Sequence, residues 1–329
     1  MRFGELNALF RGLDNAFQTY TNQIVDKIVS KEDLIPPVPV LTRYSKESVM
    51  KAFVKKEIPD YSLPDERKSS QINVLSTSKL CVQLNTLHYA INQLNKLEDS
   101  IQEQWTRKKL NEGFRTELSM SDNSKSSSLS TFDGSRKDIN TAIEKICDFM
   151  GTKIIFWDMR ESFINNLYKN NVSQFRLETI TEELDSVLNE LCDVIVEPLR
   201  DRLVTGLLQA SLDGLHRVLL DGGPSRIFFP TDAKLLEEDL EFLKEFFISG
   251  GDGLPRGTVE NLFARVRPVI NLHSYETRVL IDDLKFANQG NRSRLGADFE
   301  TLLRILCHRS DSEASQFLKK QYKFPKSSG

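Results

Sequence analysis

The sequence has few of the residues that carry chemistry in recognisable patterns. Its four cysteines lie far apart and form no CxxC pair, and its four histidines have no metal-ligand spacing to one another or to a cysteine. Cysteines scattered over apolar helical faces usually behave as small buried hydrophobic residues. The pattern therefore predicts a reducing, cytoplasmic setting, with no metal, no cofactor and no small-molecule substrate.

Long hydrophobic runs are also missing. No stretch reaches the roughly 18 apolar residues that a membrane-spanning helix needs, and residues 1–20 lack the continuous apolar centre of a secretory signal. The formal net charge is −3, and no helix is expected to concentrate basic residues with aromatics. These properties predict no membrane span and no nucleic-acid partner.

Catalytic motifs are equally scarce. Ser211 and Ser225 lack the G-x-S-x-G frame of a nucleophile elbow. The glycine-rich stretch 251–257 resembles a phosphate-binding loop only superficially, because a helix is expected before it, no lysine follows and Pro255 has no amide hydrogen to donate. We interpret that stretch as a helix terminator and predict no enzyme. An enzyme whose site is assembled from distant residues remains the alternative from another class.

Proline and glycine fall in a few clusters, and the segments between them show helical periodicity. Pro198 should kink a helix or begin a new one, Thr231 is a candidate N-cap, and residues 227–230 should form an extended apolar strap. No segment alternates as a strand would, so the sequence predicts an all-α fold. The predicted helices span residues 2–29, 45–56, 76–109, 139–167, 232–247, 258–267, 273–286, 294–307 and 311–322. A further long helix is predicted after the polar gap 169–173, with Leu184, Leu188, Leu191 and Ile195 on one face.

Two segments have uneven charge. Residues 232–245 hold six acids against two lysines, whereas residues 285–329 hold nine basic residues against four acids. These charges either form solvated helix faces or orient a protein partner or an anionic membrane. The candidate partner-binding residues are Glu237, Glu238, Glu241, Arg256, Arg265, Arg267, Arg292 and Arg294. A serine-rich segment, 119–135, is expected to be a flexible loop and a candidate phosphorylation site.

Three strings point to a family. The string GGPSRIFFPTDAKLLEEDLEFLKEFFISGGDGLP, followed by GTVENLFARVRPVINLHSYETRVLIDDL, resembles the C-terminal part of plant MUN-domain proteins. These are the PATROL-like relatives of the vesicle-priming Unc family. The earlier string VPVLTRYSKESVMKAFVKKEIP resembles the same family. The resemblance covers nearly the whole chain.

The resemblance implies an elongated stack of antiparallel helical bundles, a rod like those of tethering complexes. It implies four parts: a first MUN homology domain truncated at its N-terminus (1–118), a serine-rich loop with a lead-in helix (119–147), a second MUN homology domain (148–260), and C-terminal helices with a basic tail (261–329).

The implied role is vesicle tethering or priming and exocytic delivery of plasma-membrane proteins, through contacts with SNARE or syntaxin-type helices and other trafficking machinery. It places the protein in the cytoplasm, peripheral to endosomes or the plasma membrane. An alternative is a truncated scaffold or regulatory fragment that associates with full-length relatives.

Overall fold

The computed structural model describes residues 3–39, 72–116 and 131–322, and these residues form helices, turns and extended connectors without a strand. The all-α prediction is therefore confirmed for the described chain. The predicted short helix at 45–56, most of the serine-rich segment and the last seven residues of the basic tail lie outside the described residues. The predicted boundaries of the homology domains stay predictions.

The chain divides into two compact units. Unit 1 comprises Met1–Val29, Asn73–Cys147 and Val194–Arg200, and unit 2 comprises Ser30–Ile72, Asp148–Asp193 and Asp201–Gly329. Unit 1 contains α1 (Phe3–Asp26), α2 (Thr77–Thr116) and most of α3 (Asp133–Lys153). In unit 2 the backbone winds into two π-helical segments, Ile154–Asp158 and Arg160–Asn166, and short 3-10 turns occupy Lys31–Leu34, Pro230–Asp232 and Ser249–Gly251.

Most of the remaining helices belong to unit 2. They are α4 (Glu178–Val194), α5 (Glu197–Asp221), α6 (Ala233–Ile248), α7 (Arg256–Phe263), α8 (Arg267–His273), α9 (Thr277–Asn288), α10 (Phe299–Cys307) and α11 (Ser312–Tyr322). Helix α5 begins at Glu197, so Pro198 lies in its first turn, where the missing amide hydrogen costs nothing. The prediction that Pro198 begins a new helix is confirmed.

The core of unit 1 follows the apolar seam of α2. Leu80, Leu84, Leu87 and Leu94 are buried, as their spacing of three and four predicts. At the start of α3 the amide and hydroxyl of Ser135 donate to the Asp14 carboxylate of α1 at 3.0 and 2.6 Å. These two hydrogen bonds fix the first turn of α3 against α1.

The extended strap predicted at residues 227–230 crosses the core of unit 2. Phe228 is fully buried, and its ring centroid lies 4.6 Å from that of His273 and 5.7 Å from that of His308. The Phe228 amide donates to the His308 carbonyl at 2.8 Å. The Phe228 side chain of the strap therefore contacts both His273, the last residue of α8, and His308, the residue that follows α10.

The π-helical stretch between 154 and 166 differs from the regular helix that the spacing of Trp157, Ile164 and Leu167 predicts. The buried guanidinium of Arg226 lies at the C-terminal end of this stretch. It donates to the carbonyls of Ile164 at 2.6 Å and Leu167 at 2.8 Å. The contact comes from a residue about sixty positions away, which local periodicity cannot reveal.

Several predicted helix bounds are wrong. Residues 273–276 are not part of α9, and 294–298 precede α10, because Asp298 caps that helix by accepting the Thr301 amide at 2.6 Å. The predicted helix at 258–267 begins earlier and ends at Phe263 as α7, and α8 begins at Arg267 after a tight turn. Thr231 is not the N-cap of α6, since it lies inside the Pro230–Asp232 turn.

A candidate helix-docking groove on α6, α7 and α8

A surface groove runs between α6 and the α7–α8 segment of unit 2. Its volume is about 420 Å³, and it is lined by Lys244, Glu260, Phe263, Ala264, Arg267, Pro268 and Asn271. Glu260 and Phe263 belong to α7, Ala264 lies in the turn after it, and Arg267, Pro268 and Asn271 belong to α8. The wall is therefore built from the end of α7, the turn and α8.

Helix α6 forms the opposite wall because of its amphipathic sequence. Leu236, Leu240, Leu243 and Phe247 are buried on its inner face. The helix ends where Ser249 and Gly250 adopt left-handed backbone conformations, with φ of 48° and 65°. The amides of Gly253 and Leu254 then bond the carbonyls of Ile248 at 3.0 Å and Phe247 at 2.9 Å. The interpretation of this glycine-rich stretch as a helix terminator is confirmed.

One acid of α6 faces inward. Asp239 is 2% exposed and accepts hydrogen bonds from the Tyr168 hydroxyl at 2.8 Å and from Arg176 Nε at 2.7 Å. Burial, together with the neighbouring carboxylate, raises the pKa of Tyr168 well above its ordinary value. These contacts fix α6 to the segment that precedes α4. The sequence indicates that Asp239 faces inward, because it follows Leu236 by three residues and precedes Leu243 by four. This spacing places Asp239 on the same buried face of α6 as the two leucines.

The acidic residues predicted to face a partner are paired within the chain. Arg267 Nε lies 3.1 Å from Glu237 Oε1, and its terminal nitrogen bonds Glu241. Lys244 also bonds Glu241, and this bond leads the contacts that lower the pKa of that carboxyl. Glu238 lies 3.4 Å from Arg176. The structure thus brings Glu237, Glu241 and Arg267 together at the groove, as neighbours of one another.

The other candidate arginines have different surroundings. Arg256 bonds Glu245 with both terminal nitrogens, at 3.0 and 3.3 Å. Arg265 pairs with Asp213 at 2.8 Å and donates to the Gln209 carbonyl at 2.9 Å. Arg292 and Arg294 are exposed in the connector before α10, and the Arg294 guanidinium lies 4.5 Å from the centroid of the Phe286 ring. None of these four lines the groove.

Glu260, which the sequence did not single out, lines the groove with a weakly compensated charge. Its side chain is 54% exposed, and the nearest ion-pair contact is a long one of 3.9 Å to Arg256. That arginine is already bonded to Glu245. Glu260 therefore offers a carboxylate to solvent or to a partner. Glu260 can be identified only when the ion pairs of all the surrounding charges are known. The folded chain shows these pairs, and the sequence does not.

Two kinds of feature, metal-ligand clusters and membrane-spanning helices, are absent from the described parts of the chain. Within 3–39, 72–116 and 131–322, no three or more histidine, cysteine or acidic side chains are grouped as a metal ion would require. Among the helices of those same ranges, none combines the length and apolarity needed to cross a membrane.

Comparison with known proteins identifies the family. Residues 1–328 match the family model described as "PATROL1-like, TPR repeats". The chain belongs to the PATROL1-like family. It is also 64% identical, over 335 residues, to "Protein unc-13 homolog" of Arabidopsis thaliana. The resemblance to the PATROL-like relatives of the Unc family is therefore confirmed.

The match covers 100% of this chain and 30% of the Arabidopsis protein, so the chain spans about a third of that PATROL1-like relative. No solved structure matches the chain. Membership of a helical-repeat family agrees with the helices described above.

Proposed function

We propose that this chain is a non-catalytic interaction protein of vesicle tethering or priming, active in exocytic delivery of plasma-membrane proteins. Its partners are SNARE or syntaxin-type helices, and it acts in the cytoplasm, peripheral to endosomes or the plasma membrane. The observation that carries the proposal is the groove between α6 and α7–α8, in a chain that is 64% identical to an Unc-13 homologue.

The form of the groove favours a helix as its occupant. Grooves between helices commonly take an amphipathic helix, which anchors through side chains at positions i, i+3, i+4 and i+7. Two small or rigid residues line the α7–α8 wall, Ala264 in the turn after α7 and Pro268 in the first turn of α8. A side chain from a docked helix would fit over Ala264, where only a methyl group extends from the wall.

The experiment is a binding assay of purified chain against a panel of helical segments from syntaxin-type and vesicle SNAREs. At least one segment should bind, and Ala264→Lys should weaken that binding about ten-fold or more by placing a long charged side chain in the groove. Asn261→Lys is the matched control, since Asn261 is exposed on the same helix outside the groove lining. No binding across the panel would refute direct SNARE contact.

A scaffold or regulatory protein that associates with longer relatives is the second candidate. On α2 of unit 1 the side chains of Val82 and Tyr89 are 62% and 64% exposed and lie seven residues apart. Residues with that spacing share one helix face and can pack against another copy or a relative. Light scattering with size-exclusion chromatography tests this candidate. A monomer that also ignores a full-length relative would refute it.

A further inference from the structure

We infer that the groove selects an amphipathic helix with a lysine or arginine one helical turn from its central apolar residue, so that the cation contacts Glu260 while the apolar side chain covers Ala264 and Pro268. The inference rests on the proposed function, because it specifies the helix that the groove binds. It also assigns to Glu260 the role of orienting the partner, which the charge pattern predicts for the acidic residues of α6.

The pairing of charges around the groove carries the inference. Arg267 and Lys244 are the cations of the lining, and both bond carboxylates of α6, which are Glu237 and Glu241. Two cations and two carboxylates thus balance at the middle of the groove. A partner that bonded one of these groups would first have to break an existing pair.

Glu260 lies outside this balance. Its contact with Arg256 is 3.9 Å long, whereas Arg256 bonds Glu245 at 3.0 Å. The net charge that the groove presents to a partner is therefore about one negative unit, located at the Glu260 end. Charge complementarity then requires a cation on the partner at that end.

The apolar contact lies one turn further along the same wall. The Ala264 amide bonds the Glu260 carbonyl at 3.1 Å, so these two residues lie one helical turn apart, and Pro268 lies beyond the turn in the first turn of α8. Phe263, which is 2% exposed, forms the floor beneath them. In two helices packed side by side, residues four apart on one helix face residues three or four apart on the other. The partner's cation and its central apolar residue therefore fall one turn apart.

The dimensions favour a helix over a small molecule. The wall extends from the end of α7 across the turn to α8, so it offers contacts over two successive elements. A small-molecule site fixes its ligand by convergent polar groups. Here the cations of the lining already bond α6, so an apolar contact at Ala264 and Pro268 with a single added ion pair fits the groove better.

The test is a charge swap on the full chain, using as probes the helical SNARE segments of the panel that bind it. Each lysine or arginine of a probe is replaced in turn by glutamate. Glu260→Lys should weaken binding of the unmodified probe about ten-fold, and one probe substitution should restore it, since like charges repel and opposite charges attract across the contact. Glu260→Gln should weaken binding about three-fold, in keeping with a half-exposed ion pair.

Asp252→Lys is the matched control, because it makes the same change of charge. Asp252 is exposed between α6 and α7 and is not part of the lining. Glu245 is unsuitable as a control, since its bond to Arg256 keeps that arginine from Glu260. No probe substitution should restore binding that Asp252→Lys alters. Because Glu260 and Asp252 are both exposed, thermal unfolding should show both variants folded at the temperature of the assay.

The outcomes separate this inference from the proposed function. If no probe binds, the proposed function fails and the inference fails with it. If a probe binds and Ala264→Lys weakens it, while no charge on the probe couples to Glu260, the groove binds a helix but the inference is overturned. Tighter binding by Glu260→Lys would also overturn it, because the partner would then present an acid at this end.

Discussion

The hydroxyl of Tyr168 donates a 2.8 Å hydrogen bond to Oδ2 of Asp239 inside unit 2, and Arg176 occupies the other carboxylate oxygen. Tyr168 itself has a positive φ of 58°, an uncommon conformation for a residue with a large side chain. The pair therefore fixes both the position of α6 and an unusual backbone turn before α4.

Removing Asp239 should destabilise the fold strongly. Asp239→Ala leaves the buried Tyr168 hydroxyl and the Leu177 amide without their acceptor and removes one partner of Arg176, which keeps Glu238 and the Leu235 carbonyl. Leaving these two donors unsatisfied should cost about 2–4 kcal/mol. Tyr168→Phe removes one hydrogen bond to a charged group and should cost about 1–3 kcal/mol. Chemical denaturation measures both changes in the free energy of unfolding.

Glu238→Ala provides the control for this prediction. Glu238 is the preceding residue, is exposed, and contacts the same arginine at 3.4 Å. Its removal should change the free energy of unfolding by less than about 1 kcal/mol. Equal losses for Glu238→Ala and Asp239→Ala would contradict the assigned role of Asp239.

A close backbone approach between α3 and α5 predicts a second effect. A Cβ atom added to Gly151 would lie 2.2 Å from the carbonyl oxygen of Gly206, and backbone cannot give way as a flexible side chain can. Gly151→Ala should therefore destabilise unit 2 by about 3 kcal/mol through overpacking. Thermal and denaturant unfolding of the purified variant measure the loss.

Gly12→Ala gives the opposite expectation on another helix. Gly12 lies inside α1, and an added Cβ would meet nothing within 4 Å. Alanine is a better helix former than glycine, so this change should stabilise the chain by up to about 1 kcal/mol. A stabilising Gly151→Ala would show that the approach of α3 and α5 is wider than described.

The histidines of unit 2 predict a dependence of stability on pH. Burial lowers the pKa of His308 to about 4 and that of His273 well below its ordinary value, while the nearby Arg226 and Arg309 also disfavour the protonated rings. Both rings are neutral in the folded chain, whereas in the unfolded chain they bind protons below a pH of about 6.5.

The unfolded state therefore binds more protons between pH 6.5 and 4, and stability falls as the pH decreases through this interval. His308 alone should account for a loss of about 3 kcal/mol across the interval. His308→Gln should reduce the slope of unfolding free energy against pH by about 1.4 kcal/mol per unit there. Parallel curves for this variant and the unmodified chain would contradict the buried neutral ring.

Particular residues show how far the sequence predicts the structure. The seam of Leu80, Leu84, Leu87 and Leu94 was predictable because regular spacing on one helix is a local property. The strap through Phe228 and the terminator after α6 were predictable for a similar reason, since proline and glycine act on their own neighbourhood. The all-α architecture follows from such signals.

Non-local contacts explain what the sequence did not predict. The guanidinium of Arg226 bonds the C-terminal end of the π-helical stretch, and Tyr168 and Arg176 bond the buried Asp239. Among the candidate charges, Glu237, Glu241 and Arg267 pair with one another at the groove, whereas Arg256, Arg265, Arg292 and Arg294 do not line it. This pairing was not predictable. Only that pairing distinguishes Glu260 from the other exposed acids.

Affinity for a SNARE-type helix, measured by calorimetry with the purified chain, its Ala264→Lys variant and its Asn261→Lys variant, tests the central claim most directly. The account predicts that at least one helix of the panel binds, that Ala264→Lys weakens this binding about ten-fold or more, and that Asn261→Lys leaves it unchanged. The same affinity for all three proteins, or no binding of any helix, would contradict it.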